Sequence, residues 1–90
     1  MGTVAIKIKI MPESPDTNLK EIEEKASEKL RELGGIINKV EEEPIAFGLN
    51  AIHITIARDE EKDTEILETE LEKIEGVSSA KIVDYRRAIG

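Results

Sequence analysis

An apolar–polar alternation of period two at the start of the chain constrains the fold more than any other feature of the sequence. Residues 3–11 place β-branched side chains on one side and small or charged side chains on the other. Such alternation predicts a β-strand that buries one face. The buried set is Val4, Ile6, Ile8 and Ile10, and the opposite set is Ala5, Lys7 and Lys9. Pro12 and Pro15 then bracket a loop, because neither proline can donate a hydrogen bond to a neighbouring strand.

Two stretches have the three- and four-residue spacing of an amphipathic helix. The first begins at Asn18, which forms a capping-box pattern with Glu21, and it ends at Gly34-Gly35. The second is predicted to begin after an N-cap at Asp63 and to end at Gly76. The apolar stripes are Leu19, Ile22, Ala26, Leu30 and Leu33 in the first helix and Ile66, Leu67, Leu71 and Ile74 in the second.

Three further strands are predicted from the rest of the chain. Ile36–Glu43 is acidic at its end, which suits a strand at the edge of a sheet. Asn50–Ala57 alternates again and directs its isoleucines inward. Val77–Arg87 is the last strand. Val83 and Tyr85 break its alternation, so we expect a β-bulge or a partly apolar outer face there.

The resulting order is strand, helix, strand, strand, helix, strand. Two strand–helix halves around a central hairpin predict an α+β, ferredoxin-like β-α-β-β-α-β sandwich in one domain spanning residues 1–90. Right-handed crossovers put the first and third strands at the centre of an antiparallel four-stranded sheet, with two helices on one face. The hairpin tip and the C-terminal end of the last strand then lie at opposite ends, about 25 Å apart for strands of roughly eight residues.

Composition limits the classes of function. The 90 residues carry a formal net charge of −7 and no Cys. The surface therefore repels nucleic acid, and the chain has neither disulfides nor thiol chemistry. No apolar run is long enough to span a bilayer, and no signal-peptide pattern opens the chain. We expect a single cytoplasmic domain that binds neither a membrane nor nucleic acid directly.

No constellation of residues predicts an enzyme, a cofactor or a metal site. His53 is the only histidine, and we interpret it as a strand residue on the outer face of the sheet. No catalytic triad, Walker loop or glycine-rich nucleotide fingerprint is present. The stretch from Asp59 to Glu70 has EF-hand-like acidic spacing, but Thr64 stands where that loop requires Gly. A solvated turn is therefore favoured there over weak Ca²⁺ binding.

Two other functions are compatible with this fold class. RNA-binding domains of the same topology stack bases on aromatic residues of the central strands, whereas here those positions hold Lys, Ala or Thr. The basic residues that would have to bind RNA are Lys7, Lys9, Lys81 and His53. The other alternative is a regulatory domain that senses a small molecule and dimerises through its sheet.

Two features remain as candidate contact points. Phe47, the only Phe, lies between Pro44 and Gly48 at the predicted hairpin tip. Its ring either folds back onto the core or contacts a partner. The pair Arg86-Arg87 is either a solvated terminal pair or a second contact point. The residues alone predict a binding domain and leave both pairs of alternatives open.

The sequence resembles the archaeal translation elongation factor 1-beta family over essentially all of its length. Three segments carry the resemblance: Met11-Pro12-Glu13-Ser14-Pro15, Glu43-Pro44-Ile45-Ala46-Phe47-Gly48-Leu49, and Ile74-Glu75-Gly76-Val77-Ser78 through Arg86-Arg87. The resemblance implies an exchange factor that promotes GDP release and GTP rebinding on elongation factor 1-alpha, the GTPase that delivers aminoacyl-tRNA. Such a factor makes and breaks no covalent bond.

The resemblance also implies roles for particular residues. The hairpin of the family contacts the GTPase, so Phe47 would be an aromatic anchor, flanked by Pro44, Ile45, Ala46 and Gly48. The C-terminal basic residue of the family approaches the magnesium site beside the nucleotide phosphates. Counted from Val77, the matching position is Arg87, where eukaryotic members carry a lysine. Arg86 is the alternative residue for this role.

Overall fold

A computed structural model describes residues 2–87 of the chain. The ends of the predicted 1–90 domain, residue 1 and residues 88–90, lie outside the described residues. The regular elements follow the predicted order: β1 (Thr3–Pro12), α1 (Leu19–Glu32), β2 (Ile36–Pro44), β3 (Asn50–Asp59), α2 (Glu65–Glu72) and β4 (Val77–Arg87). One tight turn, Ala46–Gly48, lies between β2 and β3.

The strands form one antiparallel sheet in the order β2-β3-β1-β4. β1 and β3 lie at its centre, as right-handed crossovers require. The predicted α+β ferredoxin-like fold is therefore confirmed. The hairpin between β2 and β3 lies at one end of this sheet. The start of β1 and the end of β4 lie at the other end, because Val4 is opposite Arg87.

The core lies between the sheet and the two helices. Isoleucines of β1 and β3 oppose one another in three successive inward-facing rows, Ile6 with Ile56, Ile8 with Ile54 and Ile10 with Ile52. All are fully buried, and burial of one such side chain contributes about 1.5–3 kcal/mol. The helices cover them with Ile22, Ala26, Leu30, Leu67 and Leu71. Within residues 2–87, neither helix is both long and apolar enough to cross a membrane.

The ends of several elements differ from the sequence-based boundaries. α1 has the predicted cap, since Asn18 Oδ1 accepts a hydrogen bond from the Glu21 backbone N–H at 3.2 Å. α2 begins two residues after Asp63, and its N-cap, Thr64, makes no side-chain capping bond. Asp63 Oδ1 accepts instead from the Glu65 N–H. Pro12, predicted to open a loop, is the last residue of β1 and lies opposite Val77.

The irregularity predicted in β4 is a β-bulge at Val83. Lys7 is opposite Asp84 but Ile8 is opposite Ile82, so Val83 has no residue across from it on β1. An extra residue of this kind shifts the alternation of the strand beyond it. As a result Arg87, opposite Val4, faces the helix side of the sheet. Its neighbour Arg86 faces the outer side.

Candidate functional site

The hairpin tip is a tight turn with two residues in the left-handed region. Phe47 has φ 64° and ψ 29°, and Gly48 has φ 77°. The Leu49 N–H donates to Ala46 O at 3.4 Å, so residues 46–49 match a type I′ turn, which needs positive φ at both central positions. Ile45 N–H also donates to Leu49 O at 2.7 Å. Gly adopts this geometry without strain, whereas for Phe it costs about 1–2 kcal/mol.

The ring of Phe47 is 92% exposed, so it does not fold back onto the core. The predicted contact residues around it are also accessible: Pro44, Ala46 and Gly48 are exposed, and Ile45 is half-buried. A strained backbone under an exposed aromatic ring is a combination found at binding sites. The turn therefore presents an apolar ring to solvent, available for contact with another molecule.

The loop between β1 and α1 packs beside the hairpin tip. A Cβ on Gly48 would lie 3.8 Å from Pro15 Cβ, which is an ordinary van der Waals distance. The same loop is tied to the turn before β4, because the Glu13 N–H donates to Gly76 O at 2.9 Å. A neighbouring loop thus lies close to the tip, although the ring itself remains in solvent.

His53 lies beneath the hairpin, on the outer face of the sheet. Its side chain is mostly buried and its Nε2 lies 2.8 Å from Glu43 Oε1, a residue on the neighbouring strand β2. This hydrogen bond, together with the charges of His53, Lys9 and Lys7, lowers the pKa of the Glu43 carboxyl. The pair joins β2 to β3 immediately before Pro44, where the hairpin leaves the sheet.

At the opposite end of the sheet, Arg87 is paired with an acidic residue. Its Nε lies 2.8 Å from Glu60 Oε2 in the turn after β3. The Arg87 side chain is 78% exposed, whereas that of Glu60 is only 22% exposed. Arg86 makes a different pair, since its Nε lies 3.1 Å from Asp84 Oδ2 on the same strand.

The turn that carries Glu60 is held by a buried arginine. Arg58 donates from Nε to Leu33 O at 2.9 Å and from Nη1 to Asp63 O at 2.8 Å. It is 5% exposed, and its burial lowers the pKa of its guanidinium. Because both acceptors are backbone carbonyls at the end of α1 and before α2, Arg58 joins three elements at this end of the molecule.

The structure does not bring the two predicted contact points together. Asn50 lies beside the hairpin tip, and Val4 lies opposite both Arg58 and Arg87. The eight residue steps from Asn50 to Arg58 along β3 correspond to about 26 Å. Phe47 lies beyond Asn50, so the ring and the Arg87 backbone are at least that far apart. One ligand of ordinary size cannot contact both.

The acidic stretch with EF-hand-like spacing forms a turn and a helix start. Asp59 Oδ1 accepts from the Glu61 N–H and Asp63 Oδ1 accepts from the Glu65 N–H, so these carboxylates bind the backbone of their own segment. Across residues 2–87, no group of three or more His, Cys, Asp or Glu side chains is arranged to hold a metal ion.

Comparison with known proteins identifies the family. The model of the EF-1 guanine nucleotide exchange domain matches residues 5–88. The chain belongs to this family. It is 44% identical over 88 residues to elongation factor 1-beta of Methanothermobacter thermautotrophicus, covering 97% of this chain and 98% of that protein. It is 47% identical to elongation factor 1-beta of Methanosarcina barkeri, over 97% and 99% of the two chains. The corresponding protein of Methanocaldococcus jannaschii is 42% identical over 98% and 100%.

The EF-1 exchange domain family accounts for the resemblance found in the sequence, and it assigns the chain a role in guanine-nucleotide exchange during translation elongation. The sequence did not predict three interactions around the candidate site: Pro15 beside Gly48, the Glu43–His53 pair and the Glu60–Arg87 pair. For Glu43 and His53 a signal existed, because the predicted hairpin places both on its outer face. The Pro15–Gly48 and Glu60–Arg87 interactions join segments that are distant in sequence, so no spacing pattern predicts them.

Proposed function

We propose that this chain promotes GDP release and GTP rebinding on elongation factor 1-alpha, with Phe47 and Arg87 as its two functional contacts. The observation that carries this proposal is the exposure of a strained Phe47 at one end of the sheet, about 26 Å or more from the cation at the other. Two contacts so far apart suit a partner with two domains, each held by one end of the molecule.

Phe47 would be the anchor. Aromatic residues that enter a partner pocket carry much of the binding energy of an interface, often 2 kcal/mol or more each. The ring is almost fully exposed in the free protein, so nearly all of its apolar surface is available for burial on binding. The backbone turn fixes its position beforehand, which reduces the entropy lost when the complex forms.

Arg87 would disturb the nucleotide site of the partner. In GTPases, Mg²⁺ neutralises the charge of the phosphates and is held by them and by a P-loop hydroxyl. A guanidinium brought into this region would compete with Mg²⁺ for the phosphate oxygens. The metal would then be held less tightly, and GDP binding would be weakened. By linkage, the exchange protein must bind the nucleotide-free GTPase more tightly than the GDP-bound form. The ratio of these two affinities equals the ratio by which the exchange protein weakens GDP binding. GTP would then refill the site by mass action.

We infer that the domain extends over residues 1–90 and acts in the cytoplasm without contacting nucleic acid or a membrane. The net charge of −7 favours a basic protein surface over phosphate-rich ligands. Exchange of this kind makes and breaks no covalent bond, so the chain is proposed not to be an enzyme in the strict sense.

Release of labelled GDP from purified elongation factor 1-alpha tests the two roles separately. Phe47→Ala should raise the concentration of factor needed for half-maximal exchange about 10- to 100-fold, because the anchor is lost. Arg87→Ala should instead lower the maximal rate roughly tenfold or more with little change in binding, since interactions with charged groups contribute about 1.5–3 kcal/mol.

Ile66→Ala and Arg31→Ala are matched controls, because each removes an exposed side chain of similar character that lies on a helix and belongs to neither proposed contact. Both should exchange like wild type. Wild-type kinetics for both Phe47→Ala and Arg87→Ala would refute the residue assignment. Failure of the wild-type protein to accelerate GDP release would refute the proposed partner.

A further inference from the structure

The contact between Glu60 and Arg87 joins a mostly buried carboxylate to a mostly exposed guanidinium. Glu60 lies in the turn after β3, whereas Arg87 is the last described residue of β4. The two are therefore brought together only by the tertiary fold. Their distance of 2.8 Å is that of a close ion pair.

The turn that carries the carboxylate is held at both of its ends. The Glu60 backbone N–H donates to Gly2 O at 3.0 Å, which ties the turn to the start of β1. The absence of a side chain at Gly2 leaves room for the carboxylate, since a Cβ there would lie 2.6 Å from Glu60 Oε1. Arg58 holds the far end of the same turn through Asp63 O. The position of Glu60 is thus set by the fold and not by Arg87.

The nearest contact of the carboxylate is with one particular nitrogen of the guanidinium. Glu60 forms an ion pair with Nε, and no other ion pair or hydrogen bond of Arg87 is found within residues 2–87. The two terminal NH₂ groups therefore keep their donors for a second acceptor. A guanidinium offers these donors as a planar fork that matches the oxygens of a phosphate or carboxylate. A lysine ammonium has no inner N–H through which it could be held in this manner.

Arg86 differs from Arg87 in this respect. It also bonds through Nε, but its acceptor Asp84 lies two positions earlier on the same strand and is 43% exposed. This pair lies within one strand, so it makes no connection between the guanidinium and a second element. The Arg87 pair instead joins β4 to the turn after β3, which is itself bound to Gly2 before β1.

We propose that Glu60 is a positioning residue for Arg87: it pairs with the guanidinium on its Nε side and leaves the outer NH₂ groups directed toward an oxyanion of the partner. This inference rests on the proposed function and deepens it, because it identifies Arg87, and not Arg86, as the acting cation. The ligand class is a phosphate or carboxylate oxygen at the nucleotide site of the GTPase.

The exposure of the Glu60–Arg87 ion pair limits how much its loss can change the exchange rate. An ion pair at this level of exposure contributes no more than about 1 kcal/mol, which corresponds to roughly fivefold in a rate. Glu60→Gln keeps an acceptor oxygen of the same shape and removes the charge. We expect it to lower the maximal rate of GDP release about two- to fivefold and to leave the half-saturating concentration unchanged.

Gly2→Ala provides an independent perturbation of the same contact. The new Cβ would displace the Glu60 carboxylate while retaining its charge, so the maximal rate should fall by a similar or smaller factor. Asp84→Asn is the matched control, since it breaks the Arg86 pair only, and it should exchange like wild type. Thermal unfolding of each variant verifies that the fold is retained.

A double-mutant cycle with Arg87→Ala gives the decisive result. If Glu60 acts through Arg87, Glu60→Gln should have no further effect on exchange when Arg87 is already Ala. The proposal is overturned if Glu60→Gln leaves the rate unchanged or increases it, if its effect persists in the Arg87→Ala background, or if Asp84→Asn is the variant that slows exchange. Wild-type exchange by Arg87→Ala would contradict the role assigned to Arg87, and this inference with it, whereas failure of the wild-type protein to accelerate GDP release would contradict the proposed function itself.

Discussion

The two ends of the sheet are organised by different kinds of interaction. At the hairpin end, backbone geometry sets the position of Phe47, through a left-handed turn with the loop at Pro15 beside it. At the other end, side-chain contacts between separate elements set the position of Arg87, through Glu60 and Arg58. The proposed roles differ in the same way. An apolar anchor would have to be presented rigidly, whereas a cation would have to be oriented and yet remain able to exchange one acceptor for another.

The largest effect is expected from Arg58→Met, which tests whether side-chain contacts hold the Arg87 end. The substitution leaves Leu33 O and Asp63 O without their charged donor. Hydrogen bonds of this kind contribute about 1.5–3 kcal/mol, so we expect the free energy of unfolding to fall by roughly 2–3 kcal/mol. For a domain of this size the melting temperature should fall by about 10–20 °C. Urea titration measures the first quantity and calorimetry the second.

Arg31→Met is the control, because Arg31 is exposed near the end of α1 and its loss should change stability by less than about 0.5 kcal/mol. Amide exchange should show the loss of protection in Arg58→Met concentrated in the Asp59–Asp63 turn, with the hairpin less affected. An equal loss of amide protection at the hairpin and at the Asp59–Asp63 turn would mean that the two ends of the sheet unfold as one unit. The proposed difference in how the two ends are stabilised would then be wrong.

Sequence patterns predicted the regular elements because those depend on local periodicity. The alternation in β1 and the apolar stripe of α1 are repeated many times over a short stretch, and each repeat reports the same buried face. The Asn18 cap was also predicted, and so was an irregularity around Val83 and Tyr85, either a bulge or a partly apolar outer face, since each leaves a signal within a few residues. The order of the strands then followed from the handedness of crossovers.

The support of the candidate site could not be predicted in the same way. A positive φ at Phe47 is unexpected for an aromatic residue, and only the Gly that follows it hints at the turn type. Arg58 continues the inward-facing positions of β3, opposite Val4, but the two carbonyls that bind its guanidinium belong to other segments of the chain. Such placements depend on register and on which turn ends meet, and neither has a local signature.

A smaller effect is expected at the hairpin end, where Phe47→Gly separates backbone strain from the role of the ring. Glycine relieves the left-handed conformation but increases the entropy of the unfolded chain, so we expect the free energy of unfolding to stay constant or rise by up to about 1 kcal/mol. Phe47→Ala keeps the strain and loses only exposed surface, so its stability should match wild type within about 0.5 kcal/mol. Both variants should lose binding to the GTPase.

Gly48→Ala is the matched comparison for this pair of variants. Its φ of 77° is unfavourable for Ala, while the space beside Pro15 is sufficient for a Cβ. It should therefore lose about 1–2 kcal/mol of stability for conformational reasons alone. A loss of more than about 1.5 kcal/mol in Phe47→Ala would mean that the ring packs against its own fold in solution. The hairpin end would then depend on side-chain contacts as the Arg87 end does.

The smallest effect concerns the Glu43–His53 pair, the side-chain contact beneath the hairpin. The hydrogen bond from His53 lowers the pKa of the Glu43 carboxyl, with smaller contributions from the charges of Lys9 and Lys7. The stabilisation is therefore present above the ordinary glutamate pKa of about 4.3 and is lost as the pH falls below it. His53→Gln should raise the Glu43 pKa toward its ordinary value, as measured by carboxyl-carbon NMR titration. Lys9→Gln should raise it less, because Lys9 Nζ is 4.0 Å from the carboxylate. An unchanged Glu43 pKa in His53→Gln would mean that the 2.8 Å contact does not persist in solution. The position of the hairpin would then depend on its backbone turn and on the nearby Pro15.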